Sequence, residues 1–216
     1  MIEPIVFGAA YSVYVRIVRL ALWEKGIPYR LQEVDIFASG GPPTDYLARQ
    51  PFGRIPAFEH DGFRLYETAA IARYVDEAFA GPRLQPEDAK ARARMNQIVG
   101  ILDSYAYRPL VWDIYLERVE PPREGRISDE AKIAAALPRA RQCLRVLADL
   151  MAGAPFLAGA SLSLADLHAA PMFAYFLAAP EGAALTAEQP ALTAWWQRIA
   201  GRPGMTATRP SLNPIA

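Results

Sequence analysis

With one cysteine and two histidines among 216 residues, the chain has little material for metal or disulfide chemistry. Cys143 alone cannot close an intrachain disulfide or build a Cys-x-x-Cys redox or zinc motif, so no metal is expected and a reducing compartment fits. Net charge is also missing. The 23 Lys plus Arg balance 23 Asp plus Glu, leaving no field to recruit nucleic acid or an anionic membrane surface. No apolar run reaches the ~18 residues of a spanning helix, and the amino terminus lacks a basic segment ahead of an apolar signal core. These absences predict a soluble, cytoplasmic protein with no nucleic-acid or membrane partner. What the chain does have is apolar surface: at 52% hydrophobic it can build one large core or two small ones.

The first third alternates strand and helix signals. "PIVFGA" (4–9) reads as a short buried strand, and Tyr14, Ile17, Val18, Ala21 and Leu22 then recur at helical spacing until Gly26 and Pro28. "YRLQEVDI" (29–36) reads as a second strand running into the turn-rich "ASGGPP". "AFEH" and "FRLYE" flank Asp61-Gly62, a strong hairpin signal, and Ile71, Tyr74, Val75 and Ala78 trace a following helix face. The order is βαβ, then ββα.

"AGPRLQPED" (80–88) reads as an interdomain linker, and beyond it every pattern is helical. Ile98, Ile101, Leu102 and Tyr105 form one stripe, and Leu137, Ala140, Leu144, Leu147, Ala148 and Met151 a second, which Pro138 must either begin or kink. Ser163 and Asp166 have the spacing of a structural cap ahead of a helix apolar on nearly every side. Leu192, Trp195, Trp196 and Ile199 make the last face.

Taken one at a time, the polar residues have plain structural readings. Ser12 suits a helix cap, Pro56 an ordinary edge position, and Glu67 and Thr68 a helix start. His60 beside the hairpin turn reads as solvated, His168 as a core histidine and Cys143 as a packed small hydrophobe. Arg16 or Arg73 could serve a dimer contact.

Taken jointly, "FGAAYSVYVRIVRLALWEKGIPY" (7–29), "QPFGRIPAFEHDGFRLYETAAIARYVDE" (50–77) and "FLAGASLSLADLHAA" (156–170) resemble the cytosolic glutathione transferases, of a serine-type, bacterial-like kind. The resemblance implies an α/β plus all-α fold: a thioredoxin-like glutathione-binding domain over 1–80 and a helical-bundle domain over 87–216 that shapes the electrophile site. It implies glutathione as co-substrate, a hydrophobic electrophile as second substrate, and a homodimer. The Ile55-Pro56 bond is implied to be cis, leaving the Ile55 N–H and C=O for the cysteinyl backbone of glutathione in the manner of strand addition. Thr68 and its helix start would take the γ-glutamyl carboxylate, Glu67 the ammonium and Arg54 the glycyl carboxylate. Thr68 stands where the family more often has Ser, and Gln50 where it usually has Asn.

Ser12, with Arg16 four positions on, matches the serine that activates the thiol in serine-type members. Tyr11 is the runner-up by analogy with tyrosine-type members. No cysteine lies in this segment, so conjugation is favoured over thiol-disulfide exchange. Tyr105, Tyr107, Pro109 and Trp112 are the expected electrophile wall. A glutathione-dependent isomerase or peroxidase, a non-catalytic glutathione or ligand carrier, and an interaction domain without ligand remain as alternatives.

Overall fold

The computed structural model describes residues 2–210. The chain divides into two compact units: residues up to Leu84 together with the segment from Arg202, and Gln85–Gly201.

In the first unit, β1 (Ile5–Phe7), α1 (Val13–Glu24) and β2 (Arg30–Gln32) make the βαβ element. A short helix α2 (Thr44–Leu47), not anticipated from the sequence, precedes β3 (Ala57–His60), β4 (Phe63–Tyr66) and α3 (Thr68–Ala78). The sheet order is β2-β1-β3-β4, with β1 parallel to β2 and antiparallel to β3, and β3 antiparallel to β4. Val6 and Phe7 lie at the buried centre. The second strand, expected over 29–36, pairs only over three residues. β1 itself ends at Phe7, and once Gly8 N–H has bonded Gln32 O at 2.9 Å no edge is left to pair with. At the hairpin turn Asp61 and Gly62 both take positive φ, 50° and 77°, as a two-residue turn of this kind requires. His60 is not simply solvated: it is half-buried, its Nδ1 lies 2.9 Å from the Tyr74 hydroxyl, and its ring packs 4.6 Å from that of Phe79.

A buried ion pair joins the C-terminal parts of α1 and α3. Lys25 Nζ donates to Asp76 Oδ1 (3.2 Å) and to the carbonyls of Asp76 (2.9 Å) and Pro82 (3.1 Å), while Leu84 N–H donates to Asp76 Oδ1 (2.8 Å). The extra hydrogen bonds satisfy both charges, the condition under which such a pair is tolerated inside a protein.

The second unit is helical throughout its named elements. α4 (Ala89–Ile101) continues into π-helical stretches Leu102–Ala106 and Arg108–Leu116, then α5 (Glu117–Arg123), α6 (Glu130–Met151), α7 (Leu164–Phe176), α8 (Pro180–Ala187) and α9 (Pro190–Ala200). Pro109 offers no N–H, so an unbroken α-helical ladder cannot run through it. Pro138 does not begin α6: that helix is capped earlier by Asp129, whose carboxylate accepts from Lys132 N–H at 3.0 Å. α7 is buried on nearly every side, and Asp166 in its first turn is fully buried. The Asp166 carboxylate accepts from Leu157 N–H, Ser163 N–H, the Ser163 hydroxyl and Trp195 Nε1–H, all at 2.8 Å. Burial pushes its pKa up while these bonds pull it down. The residue therefore ties the start of α7 to the preceding loop and to α9. His168, as expected of a core histidine, is buried, with Nε2 2.7 Å from Asp103 Oδ1.

α10 (Pro203–Ala207) returns to the first unit and packs on α1. The expected limits of 1–80 and 87–216 gave this segment to the helical domain; the compact unit it belongs to is the other one.

Candidate active site

The strand register assembles one end of the sheet. Phe7 pairs with Ala57, and Ala57 with Tyr66, so Gly8, Pro56 and Glu67 follow side by side as β1 ends, β3 begins and β4 ends. Helices α1 and α3 start at this same end, at Ser12 and Glu67. Ligands of open α/β sheets gather where helix N-termini and strand ends converge in this way.

The Ile55-Pro56 bond is cis, and both residues are buried. Among the described residues neither Ile55 N–H nor Ile55 C=O has a backbone partner. Gly8 lets this segment approach the β1–α1 turn. Its φ is +147°, and a Cβ there would sit 2.5 Å from Val15 Cγ2 and 3.1 Å from Ile55 Cβ. The preceding loop is fixed from inside. Gln50, 2% exposed, accepts through Oε1 from Phe52 N–H (2.7 Å) and Arg54 N–H (3.2 Å), and the Tyr46 hydroxyl donates to Arg54 O (2.6 Å). The longer amide of Gln50 thus holds the turn that follows Pro51, over residues 52–54. The Arg54 side chain is exposed.

Glu67 is exposed and adopts φ +70°, a strained value for a residue with a Cβ. Thr68 is buried at the first turn of α3, whose first intrahelical bond is Ile71 N–H to Glu67 O. The N–H groups of Thr68, Ala69 and Ala70 therefore point out of the helix end with no acceptor among the described residues.

At the start of α1 the Ser12 hydroxyl accepts from Val15 N–H at a long 3.4 Å, the cap predicted from propensity. That bond uses an oxygen lone pair and leaves the hydroxyl proton available to another acceptor. Tyr11 stacks on Phe37, ring centroids 6.4 Å apart. Burial, then Asp35 and Glu33, push its phenol up to about 12, the opposite of what a strong donor to a thiolate needs. Arg16 is not at the surface of this unit: it is 4% exposed and bonded to Met205 O and Thr208 Oγ1.

The sequence profile of the glutathione S-transferase N-terminal domain matches residues 11–78, and that of the C-terminal domain matches residues 68–203. The chain belongs to the glutathione S-transferase family. Glutathione S-transferase 4 of Zea mays is 32% identical over 92% of this chain and 88% of its own. The crystal structure of glutathione transferase F7 from Populus trichocarpa superposes with a TM-score of 0.83 at 30% identity, covering 95% of this chain and 97% of the other. Maize glutathione S-transferase I, solved with an atrazine glutathione conjugate, does so with a TM-score of 0.85 at 25% identity over 99% of this chain and all of its own. These relatives are plant enzymes, and the serine-type, bacterial-like subtype expected from the motifs is not supported.

The other predicted residues of this glutathione transferase lie in the helical unit. Tyr105, 68% exposed, lies on the first π-helical stretch, buried Pro109 and Trp112, 38% exposed, on the second, and half-buried Tyr107 at the junction between them. Ser163 and Asp166 form the hydrogen-bonded cap. Sequence reasoning missed Tyr46 and Gly8. A Gly between an apolar run and a helix cap is the visible signal for Gly8, whereas nothing local marks Tyr46.

Proposed function

We propose that this glutathione transferase binds glutathione along the end of the sheet and activates its thiol through Ser12. The observation that carries this reading is the unpaired Ile55 backbone flanked by the starts of α1 and α3. Ile55 N–H and C=O take the cysteinyl main chain as a neighbouring strand would. The open N–H groups of α3 and the Thr68 hydroxyl take the γ-glutamyl carboxylate, Glu67 the ammonium, and the Arg54 fork the glycyl carboxylate.

An unperturbed thiol near ~8.5 is only a few per cent thiolate at neutral pH. Lowering it by about two units requires roughly 2.7 kcal/mol of preferential thiolate stabilisation. The Ser12 hydroxyl donating to the sulfur, with the positive end of α1 beside it, is of that order. The thiolate then attacks a carbon of the electrophile. The thiol proton has gone to solvent, the new C–S bond takes a sulfur lone pair, and the displaced group leaves with the electron pair of its broken bond to that carbon, or, in an addition, the adduct's carbanion takes a proton from water.

The electrophile is a small hydrophobic molecule met by the exposed rings of Tyr105 and Trp112 and by Tyr107, with Pro109 on the packed side of the same segment. We assign no metal to the site. The enzyme works as a homodimer in the cytoplasm, in keeping with its family and with a single, buried cysteine that has no disulfide partner. Calorimetric titration with glutathione, paired with turnover on a panel of aryl halides and enones, tests the function. Micromolar-to-millimolar binding with conjugate formation is expected. Binding without turnover on any electrophile would leave a carrier, and turnover confined to peroxides or double-bond isomers would move the reaction class.

A further inference from the structure

Arg16 stands one helical turn beyond Ser12, and its backbone N–H donates to Ser12 O at 3.0 Å, the first rung of α1. Its side chain points the other way, into the segment that returns from the second unit. Nε donates to Thr208 Oγ1 (3.2 Å) and Nη2 to Met205 O (2.8 Å), and the Thr208 hydroxyl in turn donates to Gly204 O (2.8 Å). Two more links run between the same two segments: Arg19 Nη1 donates to Thr208 O (3.2 Å), and Arg202 forks onto Glu24 through Nε (3.1 Å) and Nη2 (2.6 Å). Close approach is possible because residue 204 is glycine; a Cβ there would lie 2.7 Å from Trp23 Cδ1.

A guanidinium buried to 4% exposure carries a desolvation cost that an apolar side chain of similar volume would not. Packing alone therefore does not account for it, whereas its directed donors fix where the first turn of α1 sits. Val15 of the same turn lies against Gly8, where a Cβ would sit 2.5 Å from Val15 Cγ2. We propose that Arg16 is a positioning residue for Ser12, clamping the first turn of α1 to residues 204–208 so that the hydroxyl keeps its aim at the glutathione sulfur. This inference rests on the Ser12 reading. Under it, residues 204–208 serve catalysis through α1.

The test is a set of four variants in the full-length enzyme: Thr208→Val, Arg16→Lys, Arg16→Met and Ser12→Ala. Each is assayed for kcat, for KM towards glutathione, and for the pH at which bound glutathione gains thiolate absorbance. Thr208→Val preserves shape and removes one acceptor. Arg16→Lys keeps a charge that reaches a single acceptor. Clamp loss by Thr208→Val or Arg16→Met is expected to lower kcat roughly tenfold, with KM for glutathione within about twofold, and to move the thiolate titration upward; Arg16→Lys recovers part of both. Should Arg16→Met fail to fold, Thr208→Val and Arg16→Lys decide. Variants that lose only thermal stability, with kcat and titration as in the wild type while Ser12→Ala shifts its titration, would make Arg16 a purely structural residue and overturn the proposal alone. If Ser12→Ala itself titrates like the wild type, the Ser12 reading falls and the positioning role falls with it.

Discussion

Replacing Ser12 by alanine removes two interactions that differ in size and in pH dependence. The cap bond to Val15 N–H is long, 3.4 Å, so its loss belongs at the low end of capping effects, about 0.5 kcal/mol of stability. The proposed bond to the thiolate would be charge-assisted, and its loss would cost about 1.5–3 kcal/mol, or one to two units in the thiol pKa. A bound thiol near ~6.5 that rises by ~1.5 units falls from about half ionised to about 3% at pH 6.5, a roughly fifteenfold loss in kcat/KM. The sign is specific. A depressed thiol pKa helps only below the unperturbed value, so the deficit shrinks as pH rises and nearly vanishes by about pH 9.5. Ser12→Asp separates the two roles: aspartate caps a helix as well as serine but places an anion beside the sulfur. It should keep wild-type stability and titrate at still higher pH. Thiolate absorbance and kcat/KM across pH check both variants. A deficit that is flat with pH, or a thiolate titration equal in wild type, Ser12→Ala and Ser12→Asp, would refute Ser12 as the activating donor.

Gln50→Ala removes the buried acceptor of Phe52 N–H and Arg54 N–H and should raise KM for glutathione roughly tenfold, leaving the bound thiol's titration in place. Gly8→Ala places a methyl 2.5 Å from Val15 Cγ2 at φ +147°; urea unfolding should show a loss of about 2 kcal/mol or more, and a loss below ~0.5 would mean the turn relaxes freely. Asp166→Ala strands the donors on Leu157, Ser163 and Trp195, so a loss of roughly 3–5 kcal/mol is expected in the same assay. Burial pushes the Cys143 thiol up, which lowers its thiolate fraction; aromatic disulfide reagents should label it at neutral pH only after unfolding.

Features with a local signature were readable before the structure. The hairpin at Asp61-Gly62, the helix ended at Gly26, the cap at Ser163 and Asp166 and the buried α7 all depend on residues a few positions apart. Ser12 was harder, because its cap and its chemistry use different faces of one hydroxyl and propensity reports only the first. The partners of Arg16 and Lys25 were not legible at all. Each charge finds its partners far along the chain, at 205, 208, 76 and 82, and no spacing rule announces such a meeting. The π-helical run around Pro109 escaped for another reason, since its apolar spacing differs little from that of an α-helix over two turns.

The clamp between α1 and the returning segment also sets an order of assembly. Arg16 and Thr208 are 192 residues apart in sequence, and the whole helical unit Gln85–Gly201 is synthesised between them. At ribosomal rates of ~5–20 residues per second, the segment up to Leu84 is made roughly six to twenty-five seconds before the last helix of its unit exists. During that interval α1 lacks the acceptors for its buried guanidinium, and the thioredoxin-like unit stays unfinished in the nascent chain. Under the proposed clamp, its glutathione site becomes fully ordered only after residues 204–208 have left the ribosome.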